Sequence, residues 1–183
     1  MAISPEGRYV ATGTWTDRGV KVWEVATRQL IQEFPAQTGA QVAFSPDGRW
    51  LAVSSDTNTL YEVGTWKPRH RLPFRHQGYI TFSPDSAIFA LGGDPQKYYL
   101  FATETGERLA TLELPQPVMG DWMRFSPDGT TLATFLNNWS IQLWDLRRLR
   151  RQLATMNLDW NLPPYPPAAA SSPAPVRVEV RTE

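Results

Sequence analysis

The chain has 183 residues, and its 42% hydrophobic, 12% aromatic and 20% charged fractions suit one globular domain with an apolar core. Its 18 basic and 18 acidic side chains leave no formal net charge, which argues against binding to nucleic acid or to an anionic membrane. The sequence lacks cysteine, a secretory signal and a membrane-spanning stretch, so it excludes disulfides and thiolate chemistry, and we expect a cytoplasmic protein.

A short turn motif, Ser-Pro-acid-Gly, recurs four times, with serine replacing glycine in the third copy. The copies begin 41, 38 and 43 residues apart, at Ser4, Ser45, Ser83 and Ser126. Proline fixes φ at the start of a turn, while aspartate and glycine accept the bend and the positive φ of a tight hairpin. The motif therefore predicts a hairpin, and its regular recurrence predicts a repeated structural module.

The first three modules contain segments for four strands, the first of which precedes the hairpin, and the last module lacks a fourth. An apolar segment follows the hairpin, a strand centred on an aromatic residue comes next, and a more polar fourth strand ends the module. The predicted fourth strands are residues 29–34, 69–74 and 108–114, and Pro73 within the second of these suits a sheet edge because proline has no N–H.

Such a sheet has apolar residues on both faces and must stack on copies of itself to bury them. We therefore predict an all-β chain, a partial β-propeller of about four four-stranded antiparallel blades. The predicted blades are residues 1–39, 40–78, 79–120 and 121–145.

The third predicted strands carry an aromatic residue near their ends. The pairs Trp23-Glu24 and Trp144-Asp145, each about 18 residues after a Ser-Pro turn, resemble the Trp-Asp ending of the WD-repeat family, whereas the middle modules have Tyr61-Glu62 and Phe101-Ala102. The resemblance covers residues 1–145 and implies a WD-type propeller that acts as a noncatalytic scaffold for protein–protein interaction.

Residues 145–167 resemble the segment that closes the WD propeller of large bacterial multidomain proteins, which often also contain a Ser/Thr protein kinase domain and tetratricopeptide repeats. This resemblance implies the C-terminal part of a larger propeller, from a truncated gene or a gene fragment. The alternative is a C-terminal regulatory remnant of a bacterial Ser/Thr protein kinase whose catalytic domain is absent from this chain. Four blades leave two apolar blade faces open, so we expect self-association or aggregation of the isolated chain.

Residues 146–158 have the pattern of an amphipathic helix with Asp145 as its N-cap. The apolar stripe, expected to lie on the propeller, consists of Leu146, Leu149, Leu153 and Met156. The opposite face is basic and either binds an acidic partner or is simply solvated. It is formed by Arg147, Arg148, Arg150 and Arg151.

Residues 159–175 are rich in proline and predict an extended linker or, more weakly, a ligand for proline-recognition domains. Residues 176–183 form a tail in which positions 176–180 alternate like a strand. That strand would either complete the last module or begin another domain.

The sequence contains no common phosphate-binding, serine-hydrolase or zinc-hydrolase motif, so we predict no enzymatic activity, no cofactor and no metal site. His70 and His76 lie among basic residues, and this group either forms a basic docking patch or is simply exposed to solvent without a binding role. The aspartates of the turns are explained by turn chemistry. The partner is therefore expected to be a protein, and the candidate contact residues are Trp15, Trp122, Trp139, Arg147, Arg148 and Arg151.

Overall fold

A computed structural model describes residues 1–14, 19–36, 38–74, 77–94, 96–114, 120–136 and 140–166. These residues form four antiparallel sheets and one helix. We call the sheets blades 1 to 4. Blade 1 consists of β1 (Ala2–Ile3), β2 (Tyr9–Gly13), β3 (Val20–Glu24) and β4 (Gln29–Phe34). Blade 2 consists of β5 (Gln41–Phe44), β6 (Trp50–Ser54), β7 (Thr59–Glu62) and β8 (Pro68–Arg71).

Blade 3 consists of β9 (Ile80–Phe82), β10 (Ile88–Asp94), β11 (Lys97–Ala102) and β12 (Arg108–Glu113). Blade 4 consists of β13 (Gly120–Phe125), β14 (Thr131–Leu136) and β15 (Ser140–Asp145), and the helix α1 (Leu146–Thr155) follows directly.

The blades stack around a common inner edge. Strands pair in sequence order within each sheet, and the first strands adjoin one another, β1 beside β5, β5 beside β9 and β9 beside β13. The fourth strand is thus the outermost strand of blades 1 to 3. This arrangement confirms the predicted partial WD-type propeller.

Side chains that alternate along each strand face either the preceding or the following blade. Val20 and Val22 of blade 1 pack with Leu51 and Val53 of blade 2 in one apolar cluster. The opposite side of blade 2 packs on blade 3 through a cluster that contains Trp50, Leu60, Phe89 and Phe101. A third cluster joins blade 3 to blade 4 and to α1, and it contains Leu100, Leu132 and Leu146. Each interior sheet is therefore buried on both faces.

The repeated turn motif forms the predicted hairpin. In blade 2 the Ser45 carbonyl accepts from the Gly48 N–H at 3.0 Å, and the Ser45 hydroxyl oxygen accepts from the Trp50 N–H at 2.9 Å. The Asp47 carboxylate accepts from the Ser45 hydroxyl and from the Arg49 N–H. Equivalent bonds recur in blades 3 and 4, so the motif aspartates serve turn geometry there too.

Ser86 occupies the glycine position of the third hairpin at a φ of +61°. Its hydroxyl oxygen accepts from the Asp47 N–H of the preceding blade at 3.0 Å. This bond between hairpins gives the serine a role that a glycine could not fill.

Two predicted strand features differ from the structure. The prediction extended the fourth strand of blade 2 to residue 74, but β8 ends at Arg71, so Pro73 lies beyond the strand and Pro68 is its first residue. Blade 4 has three strands within the residues that the structure describes, because the chain turns into α1 immediately after β15.

The helix begins as predicted, since the Asp145 side chain accepts from the Arg148 N–H at 2.8 Å. It ends at Thr155 and not at residue 158, because Asn157 adopts a φ of +57° and the Leu158 N–H returns to the Leu153 carbonyl at 2.9 Å. Leu149 and Leu153 pack against the core as expected. Met156 does not, because it lies at the C-cap, where it is 56% exposed.

Candidate protein-binding surfaces

The inner strands of the four blades line a cavity of about 520 Å³. A first strand pairs with a neighbour on one side only, so its other edge faces this cavity. Trp122 on β13 lines the cavity and is 61% exposed, and its ring centroid lies 5.2 Å from that of Tyr79. Arg124, exposed on the same strand, also lines it. We call Tyr79, Trp122 and Arg124 the channel site.

The channel site has the composition of a protein-binding hot spot. The exposed Trp122 and the half-buried Tyr79 offer large apolar area at low conformational cost, and arginine adds directed hydrogen bonds. Of the three tryptophans that the sequence selected, Trp122 is the one within the described residues. Trp15 and Trp139 lie outside the described residues, as does His76.

The four arginines of the predicted basic face of α1 differ in how exposed they are in the structure. Arg148 and Arg151 are exposed. The Arg147 side chain is 27% exposed, forms an ion pair with Asp128 at 3.4 Å and donates to the Pro166 carbonyl at 3.1 Å. A groove of about 350 Å³ between the helix and residues 159–166 is lined in part by Arg147 and Arg151.

Arg150 does not belong to the exposed basic face, which corrects the prediction. It is 8% exposed, and its guanidinium donates to both carboxylate oxygens of Asp159 at 2.9 and 3.0 Å. It also donates to three backbone carbonyls, those of Trp160, Leu162 and Pro163. Arg150 is therefore a structural residue that fixes the chain after the helix.

Residues 159–166, which we call the C-terminal strap, are packed on the protein and are not the extended linker that the proline content predicted. Trp160 is 7% exposed and belongs to the cluster between blades 3 and 4, with Leu162 and Tyr165 packed against it. The Arg150 guanidinium lies over the rings of Trp160 and Tyr165, with its Cζ 5.3 and 5.6 Å from their centroids. Burial raises the pKa of Tyr165 to about 12. Residues 167–183, including the predicted strand at 176–180, lie outside the described residues.

His70 connects blades 2 and 3. Its Nε2 atom lies 2.9 Å from the Glu104 carbonyl oxygen, and its ring packs so closely on Gly106 that a Cβ there would fall 2.7 Å from His70 Cγ. These contacts give His70 a packing role between blades.

Among the described residues, no three histidine, cysteine, aspartate or glutamate side chains are close enough to share a metal ion. In the same part of the chain, no helix is long and apolar enough to cross a bilayer.

Both terminal blades expose apolar side chains on the face that has no neighbouring blade within the described residues. On blade 4 these are Ile141 and Leu143, which are 67% and 61% exposed. On blade 1 they are Ile3, Trp23 and Leu30, which are 58%, 37% and 42% exposed. These faces form a second candidate surface, and its exposed side chains named here are all apolar.

Comparisons with known proteins agree with this architecture. Residues 1–24 and 28–61 match the family model described as WD domain, G-beta repeat. The chain is 28% identical over 141 residues to a WD repeat-containing protein of Synechocystis sp., covering 73% of this chain and 40% of that protein. It is 26% identical over 145 residues to the WD repeat-containing protein SL1-17 of Schistosoma mansoni, covering 75% of this chain and 47% of that protein.

A solved structure, the hydrazine synthase of Kuenenia stuttgartiensis, superposes with a TM-score of 0.70 at 18% identity and covers 80% of this chain and 45% of that one. At this identity the likeness concerns the fold alone. The chain spans less than half the length of the two WD relatives, at 40% and 47%. The repeated hairpins, the stacked blades and these matches show that residues 1–61 contain WD repeats and that the described residues have the WD-type propeller fold.

Proposed function

We propose that the chain is a noncatalytic scaffold that binds a protein partner at the channel site. WD-repeat proteins generally serve as scaffolds for protein interactions, and the repeats here build a rigid frame that presents exposed side chains at its inner edge. The observation that carries the proposal is Trp122, a large aromatic residue that is 61% exposed beside Tyr79 in a cavity of about 520 Å³.

Charge at the channel site favours a partner segment with an acidic group. Arg124 is exposed and lines the cavity beside Trp122. A carboxylate of the partner would pair with its guanidinium while an apolar side chain covers the indole. The exposed Arg148 and Arg151 on α1 supply a second basic surface for the same class of partner.

We also propose that these blades form the C-terminal part of a larger WD propeller and that the protein is cytoplasmic. The length of the WD relatives supports the first proposal, since the chain covers 40% and 47% of them. The cysteine-free composition supports the second. The kinase-remnant alternative stays a prediction, which kinase motifs in the DNA upstream of Met1 would support.

The scaffold proposal is tested by Trp122→Ala in affinity capture from a lysate of the source organism, followed by titration of the captured protein. Truncation of a central aromatic contact costs about 2 kcal/mol or more, so we expect the dissociation constant to rise about 30-fold. Leu158→Ala is the matched control, because Leu158 is 64% exposed and lies at the end of α1. Equal binding by the wild type and the Trp122 variant, with unchanged circular dichroism, would contradict the proposal.

A further inference from the structure

The open face of blade 4 repeats positions that are buried elsewhere. In blades 1 to 3 the third strand carries an apolar residue opposite an alanine of the second strand, and the pairs are Val22–Ala11, Leu60–Ala52 and Leu100–Ala90. These three apolar residues are at most 1% exposed, because each packs on the following blade. The equivalent pair in blade 4 is Leu143–Ala133, and Leu143 is 61% exposed.

Ile141 behaves in the same way. It pairs with Phe135 on β14 and is 67% exposed, whereas Val20 and Tyr98, its equivalents in blades 1 and 3, are 0% and 3% exposed. Blade 4 thus carries apolar side chains at the positions through which the other blades pack on the blade that follows them. We call Ala133, Phe135, Ile141 and Leu143 the receiving face.

The open face of blade 1 is the complementary half of the same interface. The aromatic residue near the end of the third strand packs on the preceding blade in blades 2, 3 and 4, and the residues are Tyr61, Phe101 and Trp144. Tyr61, for example, stacks on Phe34 with ring centroids 4.0 Å apart. The equivalent residue of blade 1 is Trp23, which is 37% exposed.

Trp23 lies in a continuous apolar row. The strand registers place Ile3 beside Val10, Val10 beside Trp23, and Trp23 beside Leu30. We call these four residues the docking face. Leu51, Phe89 and Leu132, the equivalents of Val10 in the other blades, are at most 2% exposed because each contacts the preceding blade.

We propose that the receiving face of one chain binds the docking face of a second copy, so that two chains close head to tail into one propeller. The interface between these two kinds of face already occurs three times within the chain, between blades 1 and 2, 2 and 3, and 3 and 4. A pairing of two receiving faces has no such precedent in the molecule. In a pair of 183-residue chains, the second copy thus takes the positions that neighbouring blades occupy in a larger propeller.

Closure at two chains follows from the four blades that the described residues form. When the receiving face of one chain binds the docking face of another, the pair still has one free face of each kind. These two free faces bind each other only if the rotation between the chains closes the ring. Two chains of four blades make a ring of eight, and propellers close with about four to eight blades. Both open faces of each chain are then covered, and the dimer has two identical interfaces.

The test uses light scattering after size exclusion, over a range of concentrations, with the full chain. The wild type is expected at twice the 20.7 kDa chain mass. Trp23→Lys and Leu143→Glu each place a charge in both interfaces of the dimer, so each is expected to raise the dissociation constant at least about 100-fold. Leu158→Glu is the control, because Leu158 is 64% exposed and belongs to neither face, and this variant is expected to remain a dimer.

Mixing the two variants distinguishes head-to-tail pairing from other arrangements. In a mixed pair one interface joins two unaltered faces and the other joins both substitutions, so the mixture is expected to associate at least about 10-fold more tightly than either variant alone. Leu30→Glu replaces Trp23→Lys if the latter lacks the native circular dichroism.

Three outcomes would overturn the proposal: a monomeric wild type, a dimer that only one of the two face variants disrupts, or a mixture no tighter than its components. A monomer would indicate that the two faces are covered within one chain or stay open in solution. The scaffold proposal is measured separately, by the effect of Trp122→Ala on partner binding.

Discussion

Asp128 shows at the scale of single residues how the hairpin motif shapes charge. Hydrogen bonds from the Ser126 hydroxyl, the Thr130 N–H and the Thr130 hydroxyl lower the pKa of Asp128 from 3.8 to about 2. A carboxyl group whose pKa is lower in the folded state than in the unfolded state stabilises the protein at pH values above its unfolded-state pKa. This contribution to the free energy of unfolding is lost as the pH falls through the folded-state pKa. The Asp128 contribution is thus complete above pH 3.8 and disappears near pH 2.

We predict that Ser126→Ala raises the pKa of Asp128 toward its ordinary value, because the first of the three hydrogen bonds is removed. Titration of the side-chain carboxyl by NMR measures the change. Ser4→Ala is the matched control, since the Ser4 hydroxyl oxygen accepts from the Tyr9 N–H as that of Ser126 accepts from the Thr131 N–H, but Ser4 is not a partner of Asp128. An unchanged pKa in the Ser126 variant would show that the hydroxyl does not hold the carboxylate.

Arg150 is the residue on which the C-terminal strap depends. Replacing it with alanine removes a charged donor to Asp159 and to three carbonyls, so we predict a loss of about 2 to 3 kcal/mol in the free energy of unfolding. Lysine at this position keeps the charge but not the planar fork of donors, so Arg150→Lys is expected to recover only part of the loss.

Urea unfolding followed by circular dichroism measures these differences. Arg148→Ala is the control, because Arg148 is exposed on the same helix and its substitution is expected to change the free energy of unfolding by less than about 0.5 kcal/mol. Equal stability of the Arg148 and Arg150 variants would mean that the strap contributes nothing to the fold.

At the scale of elements, the hairpins, most strands and the start of the helix could be predicted, because each depends on residues close in sequence. Ser45, Asp47 and Gly48 determine a turn by their own bonds, and Asp145 caps a helix three residues away. The strap could not be predicted, because its structure depends on Arg150. A pattern of charges on a helix does not show that one arginine is turned inward, toward carbonyls of the proline-rich segment that follows the helix.

The candidate surfaces were predictable to different degrees for the same reason. Exposed Trp122 was selected from its position near a turn, but its neighbour Tyr79 directly precedes β9 of blade 3, and only the stacking of blades brings it beside β13. The open faces follow from the count of repeats. Their composition, however, becomes evident only when each position is compared with its equivalents in the other blades.

At the scale of the whole molecule, stability should vary from blade to blade. The stability of stacked repeats is approximately the sum of each repeat and its interfaces, and blades 2 and 3 each have two interfaces. Blades 1 and 4 each have one within the monomer. The amides of β6 and β10 are therefore expected to open last, and those of β3 and β15 first.

Hydrogen exchange read by mass spectrometry tests this order in the Leu143→Glu variant, where the second copy is expected to be absent. We predict greater protection of β6 and β10 than of β3 and β15 in this variant, and a gain of protection in β3 and β15 when the wild type is concentrated enough to dimerise. The gain should be confined to the terminal blades, because blades 2 and 3 are already covered on both faces. A uniform gain over all four blades would instead indicate that the chain folds and associates in one step, with no separately stable half-ring.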